Sequence, residues 1–325
     1  MTQGVGQVCQ KGSEYSDQVT SPAVSRSGKA FRLVSQAALA SLCVIIVTGA
    51  LVRLTGSGLG CEDWPRCNEQ KLIDVSTHHT RIEQLNRLFT GVVSLSVVVA
   101  VLGAYRRKRV EPRLVRWAWS LVIGVIAQVV LGGVVVLTGL HPLANMGHFL
   151  LSMVLVTCGW VLVQLARRSE TDQYVPAQVV RHISDTVLSR LRWALTVSGL
   201  AAIVSGTVVT ASGPHAGDEN APRFDFSLSS VARLHGLTVI VTVAIIVALL
   251  VMTSKKSTDA ESRRLRESVT VVGWCAVAQA SVGYWQYFTG VPAGLVLVHI
   301  AGATALWLSV CNVVFSPADT ARPTS

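Results

Sequence analysis

Gln128-Val-Val-Leu-Gly132-Gly-Val-Val-Val-Leu-Thr138-Gly139-Leu-His-Pro-Leu-Ala-Asn-Met-Gly-His148 has a second copy in the same chain, Gln279-Ala-Ser-Val-Gly283-Tyr-Trp-Gln-Tyr-Phe-Thr289-Gly290-Val-Pro-Ala-Gly-Leu-Val-Leu-Val-His299. Gln, Gly, Thr, Gly and His recur in register, each pair 151 residues apart. In both copies an apolar run meets a Thr-Gly turn and a second apolar run carries the histidine, the pattern of two hydrophobic helices joined tightly. The chain therefore reads as a duplication with one histidine kept in each half. A fainter echo supports this: Thr48-Gly49 and Ser205-Gly206 are each followed by Val or Leu and then by a Gly-Ser or Ser-Gly turn.

At 50% hydrophobic and 14% charged residues, with mean hydropathy +0.50, the chain is too apolar for a soluble domain of this length. Stretches of roughly 20 apolar residues, the length that crosses a hydrocarbon core, fall at 31–53, 82–105, 117–138, 146–166, 193–211, 229–252, 269–288 and 294–315. Basic residues orient these spans, because Lys and Arg stay on the cytoplasmic side of short loops. Of 28 Lys and Arg, 21 lie at the N-terminal end, in the 106–116, 167–192 and 253–268 loops, or in the C-terminal tail. Both termini are then cytoplasmic. The net charge of +10 is matched by anionic head groups beside those loops and calls for no nucleic-acid partner.

The expected architecture is an all-α integral membrane protein of the cell membrane. Its eight transmembrane helices form two pseudo-symmetric four-helix bundles related by an axis along the membrane normal. The divisions are a cytoplasmic tail (1–28), an N-terminal half (29–166), a cytoplasmic linker (167–192), a C-terminal half (193–315) and a tail (316–325). Residues 1–28 have no apolar core, so helix 1 is expected to serve as the insertion signal. Glycines 49, 91, 132, 133, 283 and 302 are read as places where helices approach closely.

Cysteines separate by compartment. Cys43, Cys158, Cys275 and Cys311 lie in spans as small apolar fillers, and Cys9 is on the reducing side. Cys61 and Cys67 flank Glu-Asp-Trp-Pro-Arg in an outer loop facing an oxidising space. A disulfide is the preferred reading and two free thiols the alternative.

Ionisable groups inside spans are costly and mark function by default. His148, His235 and His299 each lie a few residues below the outer edge, within about 9 Å at 1.5 Å per residue. His235 and His299 are depth-matched on two helices of one half, as a bis-histidine haem site requires; the alternative is an interhelical hydrogen bond for each. In the first half Asn86 stands where a second histidine would face His148, leaving one side of a haem there open. Glu83, one turn before Asn86, shares its face and is a candidate proton carrier, with pairing to Arg81 or Arg87 as the alternative. Arg53, Arg81, Arg87 and Arg233 line the same layer and are candidate propionate-binding residues, against snorkelling to head groups. The loop histidines His78, His79, His141 and His215 read as solvated, with His78 or His79 the substitute sixth ligand near Asn86. His182 falls in a cytoplasmic loop.

The segment Gly49-Ala-Leu-Val-Arg-Leu-Thr-Gly-Ser-Gly-Leu-Gly-Cys61-Glu-Asp-Trp-Pro-Arg-Cys67-Asn68 resembles the signature of haem A synthases, in which a Cys pair brackets Asp-Trp-Pro. Glu83 to Arg87, Gly213-Pro-His-Ala-Gly-Asp218 and the histidines at 148, 235 and 299 agree with it, so the resemblance covers both halves. It implies oxidation of the C8 methyl of haem O to a formyl group by successive hydroxylations with loss of water. It also implies a resident haem b on His235 and His299 that relays electrons, haem O in the first half on His148, a functional Glu83, and the Cys61 and Cys67 pair. Asn86 departs from the Glu-x-x-His-Arg form of that family. The implied partners are membrane lipid, the haem O-producing enzyme and an electron donor, and self-association is compatible with the sequence. The competing functions are a cytochrome b-like electron-transfer protein without substrate conversion, and a haem carrier.

Overall fold

The computed structural model describes residues 25–170, 181, 183–256 and 260–315. The readings of residues 1–24 including Cys9, of residues 171–180 and His182 in the 167–192 linker, and of the tail from 316 lie outside these. Among the described residues there are eight helices and no strand: α1 Arg26–Leu54, α2 His78–Arg107, α3 Arg113–Leu137, α4 Pro142–Arg168, α5 Thr186–Ser212, α6 Leu228–Lys255, α7 Ala260–Phe288 and α8 Ala293–Phe315.

The helices outrun the apolar stretches because local chemistry starts them early. The Thr77 hydroxyl accepts from the Thr80 amide and Thr80 returns the bond to the Thr77 backbone, a reciprocal cap that satisfies two orphan donors. His78 and His79 are consequently the first two residues of α2 and not, as expected, part of the loop before it. Asp185 accepts from the amides of Val187 and Leu188 at the start of α5. Pro142 opens α4, where its missing N–H costs nothing, behind the capping ring of His141.

Seven helices are long and apolar enough to cross a membrane. α7 is the exception: Glu261, Arg263, Arg264, Arg266 and Glu267 crowd its first turns, and Gln279, Ser281 and Gln286 dilute its apolar part.

α1 packs on α2 and α4, and α3 on α2 and α4; α5 packs on α6 and α8, and α7 on α6 and α8. The two sets meet through α1, α4, α5 and α8. α4 lies innermost, with 56% of its most apolar window buried against 17–28% for the other spans. Trp307 donates its indole N–H to Thr157 Oγ1 across this seam (2.9 Å). On α1 and α4, Gly159 lets Leu39 and Leu42 approach to 3.2–3.4 Å of where its Cβ would stand.

The connections inside the repeat are alike bond for bond. Thr138 and Thr289 hydroxyls donate to the Val134 and Trp285 carbonyls (both 2.7 Å). Leu140 and Val291 amides return to Val135 and Gln286 (both 2.8 Å). Gly139 and Gly290 take positive φ (61° and 78°), and so do the next residues, Leu140 (64°) and Val291 (60°). A left-handed side-chain-bearing residue costs about 1–2 kcal/mol, more readily tolerated where it is packed. Leu140 is buried in a small cluster with Val135, Ala216 and Ala221, beside a backbone bond from Gly58 to Gly217 (2.9 Å) that joins the loops of the two helix sets.

Candidate functional site

His235 on α6 and His299 on α8 face each other with ring centres 6.5 Å apart and planes at 78°. Small residues make the space: a Cβ on Gly206 would stand 3.2 Å from His235 Cε1, and one on Gly283 would stand 3.1 Å from His299 Cε1. The Ser205 hydroxyl donates to the Ala202 carbonyl (3.0 Å). It is also bonded to His235 Nδ1 (3.1 Å) and to Thr238 Oγ1 (3.0 Å), which ties the ring to α5. The Gln279 amide donates to the His299 carbonyl (2.7 Å), fixing the turn that carries the ring.

His148 on α4 repeats His299. Gly132 lies against its ring, with a Cβ 3.4 Å from Cε1, and Gln128 donates to its carbonyl (3.0 Å) and to Ser152 Oγ (2.6 Å). In both histidines Nδ1 is buried without a hydrogen-bond partner. Between α1 and α2, Thr48 Oγ1 donates to Asn86 Oδ1 (2.8 Å), the counterpart of Ser205 with His235. Gly49, counterpart of Gly206, has nothing within 4 Å of where a Cβ would be, and neither has Gly91. Close helix approach, expected at both, is absent there because no large group reaches over them.

Cys61 and Cys67 are joined in a disulfide, and the loop they close is fastened to α2 and α3. Glu83 is 5% exposed. Its Oε2 accepts from the Cys61 amide (2.7 Å), and its Oε1 accepts from Arg87 Nε (3.0 Å) and a terminal nitrogen (2.6 Å). Arg87 spends its remaining donors on the carbonyls of Asp63 and Arg66 (3.1–3.2 Å). The Trp64 indole lies over Gly133, 2.8 Å from where a Cβ would be. Asp74, in the turn after the disulfide, accepts from the Ser76 amide (3.0 Å), and bonding to the Ser76 side chain and then to this amide holds its carboxyl below the usual carboxylate range.

The remaining expected residues are scattered along the same end. Arg53 donates to the Thr210 carbonyl (2.7 Å), its Nε is buried without a partner, and it borders a cavity of about 150 Å³ with His215, Asp218 and Arg223. Arg81 and Arg233 are exposed. His79 Nδ1 is bonded to Ser57 Oγ (2.9 Å), and His215 Nε2 to the Val291 carbonyl (2.8 Å). Thr48, Ser205, Gln128 and Gln279 had no role assigned from sequence, although all four stand in the repeats and could have been found by asking why polar residues recur there.

The residues fit a haem. With about 2 Å from iron to each ligating nitrogen and about 1 Å more to each ring centre, two axial imidazoles sit about 6 Å apart, and the rings of His235 and His299 are 6.5 Å apart. Orphaned Nδ1 atoms in apolar surroundings are costly for a purely structural histidine.

Seven helices long and apolar enough to cross a membrane, with His235 and His299 facing each other, define a polytopic membrane-type protein. Comparison makes this narrower. The model of the COX15-CtaA family, described as "Cytochrome oxidase assembly protein", matches residues 32–84 and 70–311, and the chain belongs to that family, which is the haem A synthase family. It is 32% identical over 151 residues to "Heme A synthase" of Geobacillus thermodenitrificans (46% of each chain). It is 33% identical over 174 residues to that of Listeria welshimeri (52% of this chain, 54% of the relative). With the protein of the same name from Lysinibacillus sphaericus it shares 27% over 181 residues (53% and 55%). The chain thus spans about half the length of the curated relatives it matches.

Proposed function

We propose that the protein is a multi-pass enzyme of the cell membrane that converts haem O to haem A. All eight helices cross the bilayer as two pseudo-symmetric bundles, with both termini cytoplasmic and the haem sites near the outer face. The N-terminal half binds haem O as substrate through His148, and the C-terminal half binds a resident haem b through His235 and His299. Two successive hydroxylations of the C8 methyl, each taking one atom of dioxygen with two electrons and two protons and releasing the other atom as water, give a geminal diol, which loses water to leave the formyl group. The observation that carries this reading is the unequal pairing of the halves. Two imidazoles 6.5 Å apart suit a closed electron-transfer site, and a half with His148 alone, where Asn86 takes the place of the second histidine, suits a site where chemistry happens.

Bound between its two histidines, haem b supplies one-electron transfer. The protein contributes the rest. Ser205 orients the His235 ring, Gln128 and Gln279 fix the histidine-bearing turns, and the disulfide loop keeps water from the substrate side. Glu83, on the face of Asn86 and one turn away, accepts and returns protons at its carboxylate, with Arg87 and the Cys61 amide holding it in place. Arg53, Arg81 and Arg233 provide cationic partners for haem propionates. The haem O-producing enzyme delivers the substrate, and a separate donor supplies electrons.

Protein purified from a host supplied with haem O should yield extracted haem of formyl mass, and Glu83→Ala should lose that product. Unchanged haem O beside a normal reduced spectrum would sink the enzyme reading in favour of a cytochrome b-like electron carrier.

A further inference from the structure

We infer that the first half holds a pocket for a small neutral ligand beside Gly49, with the Asn86 amide as hydrogen-bond donor to that ligand and Thr48 as the residue that aims it. This rests on the reading that His148 carries a haem in the same half.

The inference comes from one contact made twice with different partners. Thr48 and Ser205 each precede a glycine, each has the carbonyl three residues earlier within reach (Ile45 at 3.3 Å, Ala202 at 3.0 Å), and each bonds a side chain on the next helix (Asn86 at 2.8 Å, His235 at 3.1 Å). In the second half the imidazole then extends over Gly206 and fills the space. In the first half the shorter side chain stops at Thr48, and the space over Gly49 stays open to beyond 4 Å. The volume taken by a ligand ring in one half is free in the other.

The orientation of Asn86 decides what that space can hold. Thr48 has one hydroxyl proton, and the nearer acceptor is Asn86 Oδ1. The carbonyl end of the amide therefore faces Thr48, and the NH2 end is turned away with no partner among the described residues. An amide nitrogen has no lone pair to give to iron, but it has two protons to donate. Glu83 does not compete for the position, because both its oxygens are engaged by Cys61 and Arg87. A site with an open coordination face, free volume and one neutral donor selects small uncharged acceptors of the dioxygen and carbon monoxide class. Asn86 is thus a positioning group for an incoming ligand and not a substitute iron ligand.

Carbon monoxide added to the reduced, haem O-loaded protein is the probe, read by the C–O stretching frequency and by binding kinetics. The wild type should bind it, and His148→Ala should abolish the reactive haem. Asn86→Leu should still bind but with the stretch moved to higher frequency and release faster by a factor of about five, as expected for one lost neutral hydrogen bond. Thr48→Val should move the stretch the same way, which covers the case that Asn86→Leu fails to fold. Gly49→Val should keep the haem and slow binding at least about tenfold by filling the pocket. If carbon monoxide still binds in His148→Ala, the assignment of the first-half haem is wrong. If His148→Ala removes a haem that never took carbon monoxide, or if the stretch is the same in Asn86→Leu and Thr48→Val as in wild type, the pocket inference is overturned and the haem assignment stands.

Discussion

The two helix sets handle their histidine-bearing ends in opposite ways. On α1–α4 the disulfide loop is pulled down: Glu83 holds the Cys61 amide, Arg87 holds the Asp63 and Arg66 carbonyls, and Trp64 covers Gly133. On α5–α8 the residue matching Gly133 is Tyr284, 65% exposed, in a cluster with exposed Trp285, Tyr287 and Phe288. The loop there is tied by His215 to Val291, by Arg223 to Gly213 and Pro214, by Phe224 to Ala211 and, from the other helix set, by Gly58 to Gly217. The covered half carries His148 without a facing histidine ring, and the uncovered half carries the facing pair His235 and His299. On the proposed function this follows, since a reactive site must exclude water and a haem ligated on both faces has less need of a cover.

The most severe way to break this comparison is to remove a ligand from the closed pair. His299→Ala should abolish the low-spin signal of the resident haem in the reduced spectrum, whereas His148→Ala should leave that signal in place. Retention of the low-spin signal in His299→Ala would show that the facing rings of α6 and α8 are not its ligands.

A middle-sized effect is expected at the cover itself. A Cβ on Gly133 would meet the Trp64 ring at 2.8 Å, so Gly133→Ala must displace the indole, at about 1–3 kcal/mol for an overpacked contact. Tyr284→Ala, at the matching exposed position, should stay within about 0.5 kcal/mol. Thermal unfolding in detergent and the rate at which reductant opens the Cys61–Cys67 bond measure the two. Equal stability with no faster reduction in Gly133→Ala would mean that Trp64 is not the fastening point.

How much of this was legible beforehand depends on what kind of signal each feature leaves. The eight helices and their order follow from apolar runs, because bilayer thickness and backbone hydrogen bonding allow few other solutions. His148, His235 and His299 stand out because an ionisable group is rare in such runs, and the Cys61–Cys67 pairing follows from short spacing in an outer loop. The helix starts were less legible, since the Thr77–Thr80 cap lies outside any apolar pattern. Gly49 and Gly133 were read alike as packing glycines. Yet one faces empty space and the other an indole, a difference set by residues far away in the chain. The Glu83–Arg87 pair could be foreseen from its i,i+4 spacing, but not its bond to the Cys61 amide, which depends on how the loop folds back.

The smallest effect concerns the glutamines that open each repeat. Gln279 supplies the side-chain hydrogen bond to the His299 carbonyl, and the residue one turn after that histidine is Ala303, which can donate nothing from its side chain. In the first half the corresponding residue is Ser152, whose hydroxyl also donates to the His148 carbonyl (3.0 Å), so Gln128 has a reserve. Side-chain hydrogen bonds between membrane helices contribute about 0.6 kcal/mol on average. Gln279→Ala should therefore lose haem from its half roughly two to three times more readily on dilution in detergent, and Gln128→Ala should change its half by less. A larger loss in Gln128→Ala than in Gln279→Ala would mean that Ser152 does not back up the first glutamine, and that the two histidine-bearing turns are held by different means despite their matched residues.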